Sequence, residues 1–427
     1  MKNTRRQFLQ KGTFLSVPLI INSSVLGRGN ATAANSKVQL ACIGVGGQGT
    51  GNMNNFIQDD RVKVVAVCDV DRAHRQRALN IAKLSDKDGC SDYRELINRK
   101  DIDAVMIATP DHWHSMITVA AANSGKDIYC EKPLASSIGE GRFVTKTVLE
   151  NKRVLQCGTW RRSGVHSRMA CEWVRNGYIG KLKKVDVGVP GKFHIQGGYT
   201  GNEKEQKAPD GFDYKMWAGT TPDAPYTAAR CHFNFRWIDD YAPGYVTDWG
   251  AHFIDVAHWG MDSDNGGPIE IVANKVKRRE ATIYDAVESF DIRYVYPDNV
   301  ELRMFSTENT SEWGTKFIGE EGSIYVENHK LITDPTELMR KKLGPNDKRL
   351  YTSKNHHRNF IDCVLSRKET ASSVESAHRA ASACHLGAIA AKLNRSLRFD
   401  PKSEKFVDDN EADALIMRKY HGDWKLS

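Results

Sequence analysis

Val38-Gln39-Leu40-Ala41-Cys42-Ile43-Gly44-Val45-Gly46-Gly47-Gln48-Gly49 decides the fold. Its first six residues read as a strand buried on both faces, and they pass straight into a Gly-x-Gly-x-x-Gly turn. A glycine triplet of this spacing is common by itself. Here it opens a helical segment, and a second apolar strand at 62–68 ends in Asp69, 20 residues beyond Gly49. That full context is the dinucleotide fingerprint. Gly44 permits the tight turn, Gly46 lets a diphosphate approach the backbone beside Gly47 and Gln48, and Gly49 lets the helix pack on the strand. The helix N-terminus offers amide donors and positive dipole to phosphate. Asp69 is placed to accept from ribose hydroxyls and to repel a 2′-phosphate. NAD is therefore expected over NADP, with Arg72 the one nearby residue that favours the phosphorylated cofactor.

Working outward, further apolar runs at 103–108, 126–130 and 153–157 alternate with helical stretches such as 93–99 and 111–124. Strict alternation predicts an α/β domain, a Rossmann doubly wound parallel sheet over 37–158. From 159 to 427 the texture changes. A helix at 163–176 precedes a strand at 182–189. The segment 191–235 is long, rich in Gly, Pro and aromatics, and without periodicity, which suits a loop serving a site. A helix at 248–260 leads into strands at 270–277, 283–295, 300–306 and 315–326, and helices at 355–366 and 374–394 close the chain. This predicts a second α/β domain with a large, mostly antiparallel open sheet, one face solvated or covered by a partner.

The 427 residues are 40% hydrophobic and 27% charged, which excludes collagen-like, disordered and disulfide-miniprotein classes. The net charge of +8 misleads, because Lys2, Arg5, Arg6, Lys11 and Arg28 all fall in residues 1–33, where no acidic residue occurs. The rest carries 56 basic against 53 acidic residues, so no nucleic-acid partner is expected. Thr4-Arg5-Arg6-Gln7-Phe8-Leu9-Gln10-Lys11 resembles a twin-arginine export signal, followed by an apolar stretch at 14–26 and a small-residue cleavage site, Ala31-Thr32-Ala33. Residues 1–33 are accordingly read as a signal peptide and the protein as periplasmic. No Cys follows at lipid-anchor distance, and no apolar run is long enough to span a bilayer unaided, so no membrane anchor is expected. Nine cysteines without a CxxC pair suit folding in the cytosol before export rather than a disulfide framework.

Two strand ends carry the chemistry. The strand at 103–108 ends in Thr109-Pro110-Asp111-His112-Trp113-His114, and the next ends in Glu131-Lys132-Pro133. Both lie at carboxyl ends of parallel strands, where open α/β sheets bind ligands. A Lys beside a nicotinamide is partly desolvated and near a cation, and both effects favour its use in proton transfer. In the second domain Asp248, His252 and Asp255 fall at i, i+4 and i+7 and share one helix face, so that Asp248 can orient His252. His112, His114, His252 and His258 lack structural-zinc spacing, and no metal is expected there.

Together these residues resemble the Gfo/Idh/MocA family (glucose–fructose oxidoreductase, inositol dehydrogenase and rhizopine-catabolism proteins) from residue 38 to about 420. The resemblance rests on the glycine turn, the 109–114 stretch, Glu131-Lys132-Pro133 and the Asp248-to-His252 spacing. The ending, His357-Arg358-Asn359-Phe360 and Phe406-Val407-Asp408-Asp409, looks like an exported branch. The resemblance implies Lys132, Asp248 and His252 as catalytic groups, with His252 or Lys132 taking a hydroxyl proton. It implies Thr109, Asp111, His114, Glu131 and Lys132, with the glycine turn and Asp69, as cofactor contacts. Arg161, Arg162 and Asp255 are substrate-site candidates, although the arginines read equally as surface charges.

The implied reaction is hydride transfer from a secondary alcohol carbon of a sugar or glycoside to NAD. The aromatics Trp160, Trp217, Tyr226, Trp237, Tyr241 and Trp249 suit stacking on sugar faces. Outside the cytoplasm there is no expected pool of free cofactor, so NAD is expected to be tightly held and recycled in place. One use is oxidation at C3 to a 3-keto-glycoside that a separate keto-sugar lyase then cleaves. Two alternatives stand beside it: an NAD-dependent glycosidase like the exported α-N-acetylgalactosaminidases, against which Lys132 argues, and a non-catalytic sugar-binding protein. Relatives suggest a homo-oligomer, dimer or tetramer.

Overall fold

A computed structural model describes residues 37–427; the signal-peptide expectation for residues 1–33 lies outside the described residues. The first sheet comprises β1 (Val38–Ile43), β2 (Val62–Cys68), β3 (Gly89–Cys90), β4 (Ala104–Ile107), β5 (Asp127–Cys130) and β6 (Leu155–Cys157). They lie in the order β3-β2-β1-β4-β5-β6, every neighbouring pair parallel. All residues of β4, β5 and β6 are buried, because helices cover both faces. The strand order reverses between β1 and β4, which opens a crevice at their carboxyl ends.

The second sheet has nine strands: β7 (Leu182–Pro190), β8 (Glu270–Arg278), β9 (Val287–Val295), β10 (Glu301–Thr307), β11 (Gly314–Gly319), β12 (Ser323–Glu327), β13 (Lys330–Asp334), β14 (Leu397–Asp400) and β15 (Lys405–Phe406). Their order is β13-β12-β11-β7-β10-β9-β8-β14-β15. β7 and β10 run parallel and the other pairs antiparallel. Alternation in β9 buries Phe290, Ile292 and Tyr294 against the helices Gly250–Met261 and Val374–Leu393. The opposite face carries charge, with Arg303 paired to Asp291 at 2.9 Å. Both expected sheets are therefore present.

The strand expected at 315–326 is a hairpin, β11 and β12, because Glu320-Glu321-Gly322 breaks the alternation and Gly319 N–H donates to the Gly322 carbonyl. The 191–235 segment is less open than its composition suggests. It contains the short helix Tyr214–Ala218 and buries Phe193, Phe212, Trp217 and Tyr226, and Phe212 bridges to Asp71 beside β2. All nine cysteines are free thiols. Among the described residues, no helix is long and apolar enough to cross a membrane.

The last residues strap the chain back onto the first sheet's helices. Trp424 packs edge-on against Trp113 with ring centroids 5.0 Å apart, and Arg94 lies over the Trp424 ring. Arg418 donates to the His112 carbonyl and to Glu140, a fully buried carboxylate that also accepts from Tyr420. Removal of Arg418–Ser427 would strip Glu140 Oε1 of both its partners, leave only the Ser136 N–H on Oε2, and uncover Trp113. The expected result is a loss of ~2–3 kcal/mol, read from the guanidinium unfolding midpoint at constant slope. An unchanged midpoint would refute the strap.

Candidate active site

The glycine turn sits where β1 ends. Gly44 has φ +77°, and a Cβ there would lie 2.6 Å from Thr109 N, so β4's loop closes directly over it. A Cβ on Gly49 would lie 1.8 Å from the Gly44 carbonyl oxygen, so the helix Gly47–Ile57 can reach the strand only with glycine there. Gly46 and Gly47 differ. A Cβ on Gly46 meets nothing nearer than His74 at 3.6 Å, and one on Gly47 meets nothing within 4 Å. Protein packing does not demand glycine at either position. The space they leave, before a helix with no acidic residue in its first turn, fits a diphosphate.

Asp69 ends β2 as expected, and it also knits the turn together. One carboxylate oxygen accepts from Val45 N–H at 2.8 Å and the other from Asp71 N–H at 2.9 Å. Lone pairs remain on both oxygens for ribose hydroxyls. Arg72 is exposed beside Gly211.

Several other expected cofactor contacts engage each other. Glu131 accepts from Gln48 Nε2 at 3.2 Å and Asn52 Nδ2 at 2.8 Å, fastening the glycine helix to the β5 end. His114 is buried between the Pro133 and Thr109 carbonyls at 2.7 and 3.0 Å, so it braces the two strand-end loops and has no free ring edge for a cofactor. Thr109 Oγ1 and Asp111 Oδ2 are buried without a protein partner. Burial pushes the Asp111 carboxyl up to about 7, against the opposing pull of Arg236 and Lys132.

The three expected catalytic residues converge. Lys132 Nζ donates to Asp248 Oδ1 at 2.5 Å and to the Asp248 carbonyl at 2.8 Å, across 116 residues of sequence. Arg236 Nε reaches the same Oδ1 at 3.3 Å. Burial would raise the Asp248 carboxyl, but Lys132 and Arg236 together hold it well below the usual carboxylate range. Asp248 thus spends its charge on two cations and does not orient His252. The His252 Nδ1 is buried without a protein partner, and its ring meets Trp160 edge-on at 6.2 Å. Burial, then the nearby Lys132 and Arg161 charges, pushes His252 well below its ordinary value, so the imidazole is neutral at pH 7.

Arg161 is held beneath this group by Phe253 (4.3 Å) and Trp160 (5.1 Å), with Glu327 at 3.6 Å. Burial lowers its guanidinium to about 10. Arg162 and Asp255, expected at the substrate, are buried and close on each other through three hydrogen bonds of 2.8–2.9 Å. Both oxygens of Asp255 are thus occupied by Arg162, an arrangement that a structural pair accounts for without a ligand. Of the six aromatics expected to stack on sugars, Trp217, Tyr226, Trp237 and Tyr241 are core residues, and only Trp160 is exposed. Among the histidines weighed for zinc, His112 and His258 face the Trp217 carbonyl and the Tyr296 hydroxyl.

Sequence reasoning missed Arg236 and Asn52. Arg236 sits in an aperiodic stretch, and the one available signal was a cation inside the aromatic run Phe233–Trp237. Asn52 lies on the glycine helix, one turn after Gln48, and joins Glu131 to His357 Nε2.

Comparison with known proteins agrees with this architecture. Residues 38–159 match the family described as "Oxidoreductase family, NAD-binding Rossmann fold", and residues 164–426 match its "C-terminal alpha/beta domain". The chain belongs to the Gfo/Idh/MocA oxidoreductase family, and its first domain is that family's NAD-binding fold. It is 27% identical over 230 residues to the inositol 2-dehydrogenase of Salmonella typhimurium, covering 53% of this chain and 55% of that one. It is 32% identical over 152 residues to a glycosyl hydrolase family 109 protein of Shewanella sp. (strain ANA-3), covering 34% and 33%. The chain spans about half the length, or less, of these curated relatives. Among solved structures, the aldose–aldose oxidoreductase of Caulobacter crescentus, complexed with glycerol, superposes with TM-score 0.62 at 16% identity, over 85% of this chain and 100% of that one. The scyllo-inositol dehydrogenase of Lactobacillus casei, with NAD(H) and scyllo-inositol bound, gives 0.60 at 17% identity, over 85% and 99%. At these identities the two structures bear on the fold.

Proposed function

We propose that this protein is an NAD-dependent dehydrogenase that oxidises a secondary hydroxyl of a sugar or glycoside, at C3, to a 3-keto-glycoside. The observation that carries the reading is the convergence of Lys132, Asp248 and a neutral His252 at the carboxyl ends of the parallel strands. Bound NAD supplies the hydride acceptor. The protein's part is to orient one hydroxyl and move its proton. Lysine has three N–H donors, and Lys132 spends two of them on Asp248, which leaves the third for a substrate oxygen. His252, uncharged, accepts the hydroxyl proton. Asp248 fixes Lys132 and is kept ionised by its cations.

Trp160 is the sugar platform in this reading: exposed, one ring away from His252, and backed by Arg161. Trp160→Ala is expected to raise KM about tenfold, the loss of ~1.4 kcal/mol of stacking, with kcat changed less than about threefold. Trp160→Phe should recover most of the affinity. A KM unmoved in both variants would remove Trp160 from the site.

With residues 1–33 as a twin-arginine signal, the protein folds around NAD in the cytoplasm and carries it to the periplasm. The cofactor is then recycled in place, and a separate lyase consumes the keto-sugar. The test is absorbance at the reduced-nicotinamide band of the purified mature protein, with a panel of glycosides and no NAD supplied. A rise with one sugar class, the aglycone still attached, supports the reading. Aglycone release by the protein alone makes it a glycosidase, the activity class suggested by the family 109 match. No response even with NAD added overturns both.

A further inference from the structure

Asp71, His74 and His232 lie together at the mouth of the glycine turn, and nothing in the dehydrogenase reading uses them. Asp71 caps the helix Arg72–Ala82: its Oδ1 accepts from Ala73 N–H at 2.7 Å and His74 N–H at 3.3 Å. The other oxygen, Oδ2, faces two imidazoles, His74 Nε2 at 4.0 Å and His232 Nε2 at 3.8 Å. One ligand atom from each residue falls within 4.8 Å of the other two. His232 comes from the end of the 191–235 segment, here the cover segment, and its backbone adopts φ +54°. Its ring packs on His74 with centroids 5.1 Å apart and on Phe212, which bridges to Asp71, at 5.3 Å.

We propose that Asp71, His74 and His232 bind a divalent transition metal of the zinc class, which fastens the cover segment to the end of β2. Imidazole and carboxylate ligands at ~2.0–2.2 Å from such a metal lie roughly 3.3 Å from each other, so closure needs about half an ångström of movement per donor. The donor set, two imidazoles and one carboxylate, suits zinc, cobalt, nickel or ferrous iron and leaves positions for water. The outer shell is also present. His74 Nδ1 faces Asp69 Oδ2 at 3.7 Å, the carboxylate–histidine arrangement that fixes a ligating ring and raises its basicity. Asp69 is itself immobilised by Val45 and Asp71 N–H groups.

A metal here holds the cover segment shut beside Gly46, since His74 is the nearest side chain to that glycine. The site stands apart from the dehydrogenase reading, because its test reads metal and no turnover. The full chain, free of any affinity tag, is titrated with Zn2+ against a chromophoric chelator, and with Co2+ for its visible absorption. The expected result is one equivalent per chain. The affinity should fall by about 100-fold or more in His74→Gln and in His232→Asn, the latter chosen because asparagine tolerates positive φ. His421→Ala, whose ring faces Asp223 and which is no member of the cluster, serves as the control and should bind as wild type does. Far-UV circular dichroism confirms that each variant is folded. Failure of the wild type to take up Zn2+ overturns the proposal. So does uptake equal in wild type and both variants, which would place the metal on thiols or surface carboxylates.

Discussion

Replacing Lys132 by Met is expected to lower the rate of nicotinamide reduction by about two to three orders of magnitude while leaving NAD bound, a size typical of losing one donor aimed at the oxygen on which charge develops. Methionine fills the lysine stem's volume and supplies no donor. The two side chains are only 13% and 12% exposed, so water cannot restore the Nζ contacts. Asp248 keeps Arg236 at 3.3 Å and is not orphaned, and the variant should therefore fold. Its acid stability should shift in a defined direction. A carboxyl held below its unfolded value contributes stability above that value and loses it as pH falls through the folded one. With Lys132 gone, the Asp248 carboxyl rises, so the thermal midpoint of the variant should begin to fall at a higher pH than that of wild type. Lys132→Arg should not rescue the rate, because a planar fork cannot take the place of a point donor. Stopped-flow absorbance with the identified glycoside reads the first effect, and scanning calorimetry across acid pH reads the second. A rate within about tenfold of wild type would remove Lys132 from the chemistry.

The parts of this site legible in sequence are those that local geometry imposes. Gly44 and Gly49 had to be glycine because backbone atoms of a neighbouring strand and turn occupy the space of a Cβ, and such contacts recur at fixed spacing in any strand–turn–helix of this kind. Asp69 was legible for the same reason. The pairing of Lys132 with Asp248 was not deducible from spacing, since 116 residues separate them; the resemblance put both in the catalytic group, and helix spacing assigned Asp248 to His252 instead. Periodicity placed Asp248, His252 and Asp255 on one face, yet it could not say which cation each carboxylate meets. Arg236 takes part of Asp248, and Arg162 takes all of Asp255. The resemblance implied His114 as a cofactor contact, whereas its two carbonyl partners are fixed only by tertiary packing. The strands β3, β13, β14 and β15 escaped because two to five residues carry too little alternation to register.

Arg162 separates a structural pair from a substrate contact. Its side chain is 4% exposed and that of Asp255 is 0%, and its remaining N–H groups reach Asp264 at 2.6 and 3.0 Å. Burial opposes the Arg162 charge, but Asp255 and Asp264 more than offset it and hold the guanidinium charged. Arg162→Ala leaves a fully buried carboxylate without its cation, and the expected cost is ~3–5 kcal/mol. Part of that cost is avoided by protonating Asp255. In the variant the Asp255 carboxyl lies above its unfolded value, so the folded state binds the extra proton, and stability is retained at low pH and lost as pH rises. The deficit relative to wild type should thus be smaller at pH ~5 than at pH ~8. Arg162→Met combined with Asp255→Leu removes both charges and keeps the volume, and it should recover most of the loss, since a buried pair and a well-packed apolar pair are often of similar stability. Asp264 is 25% exposed and remains solvated in that variant. Kinetics then decide the role. If Arg162 and Asp255 only hold the helix Gly250–Met261 against the loop after β6, the double variant keeps its KM for the glycoside near that of wild type. If they bind the sugar, the double variant recovers stability but not affinity, and the buried pair belongs to the substrate site after all.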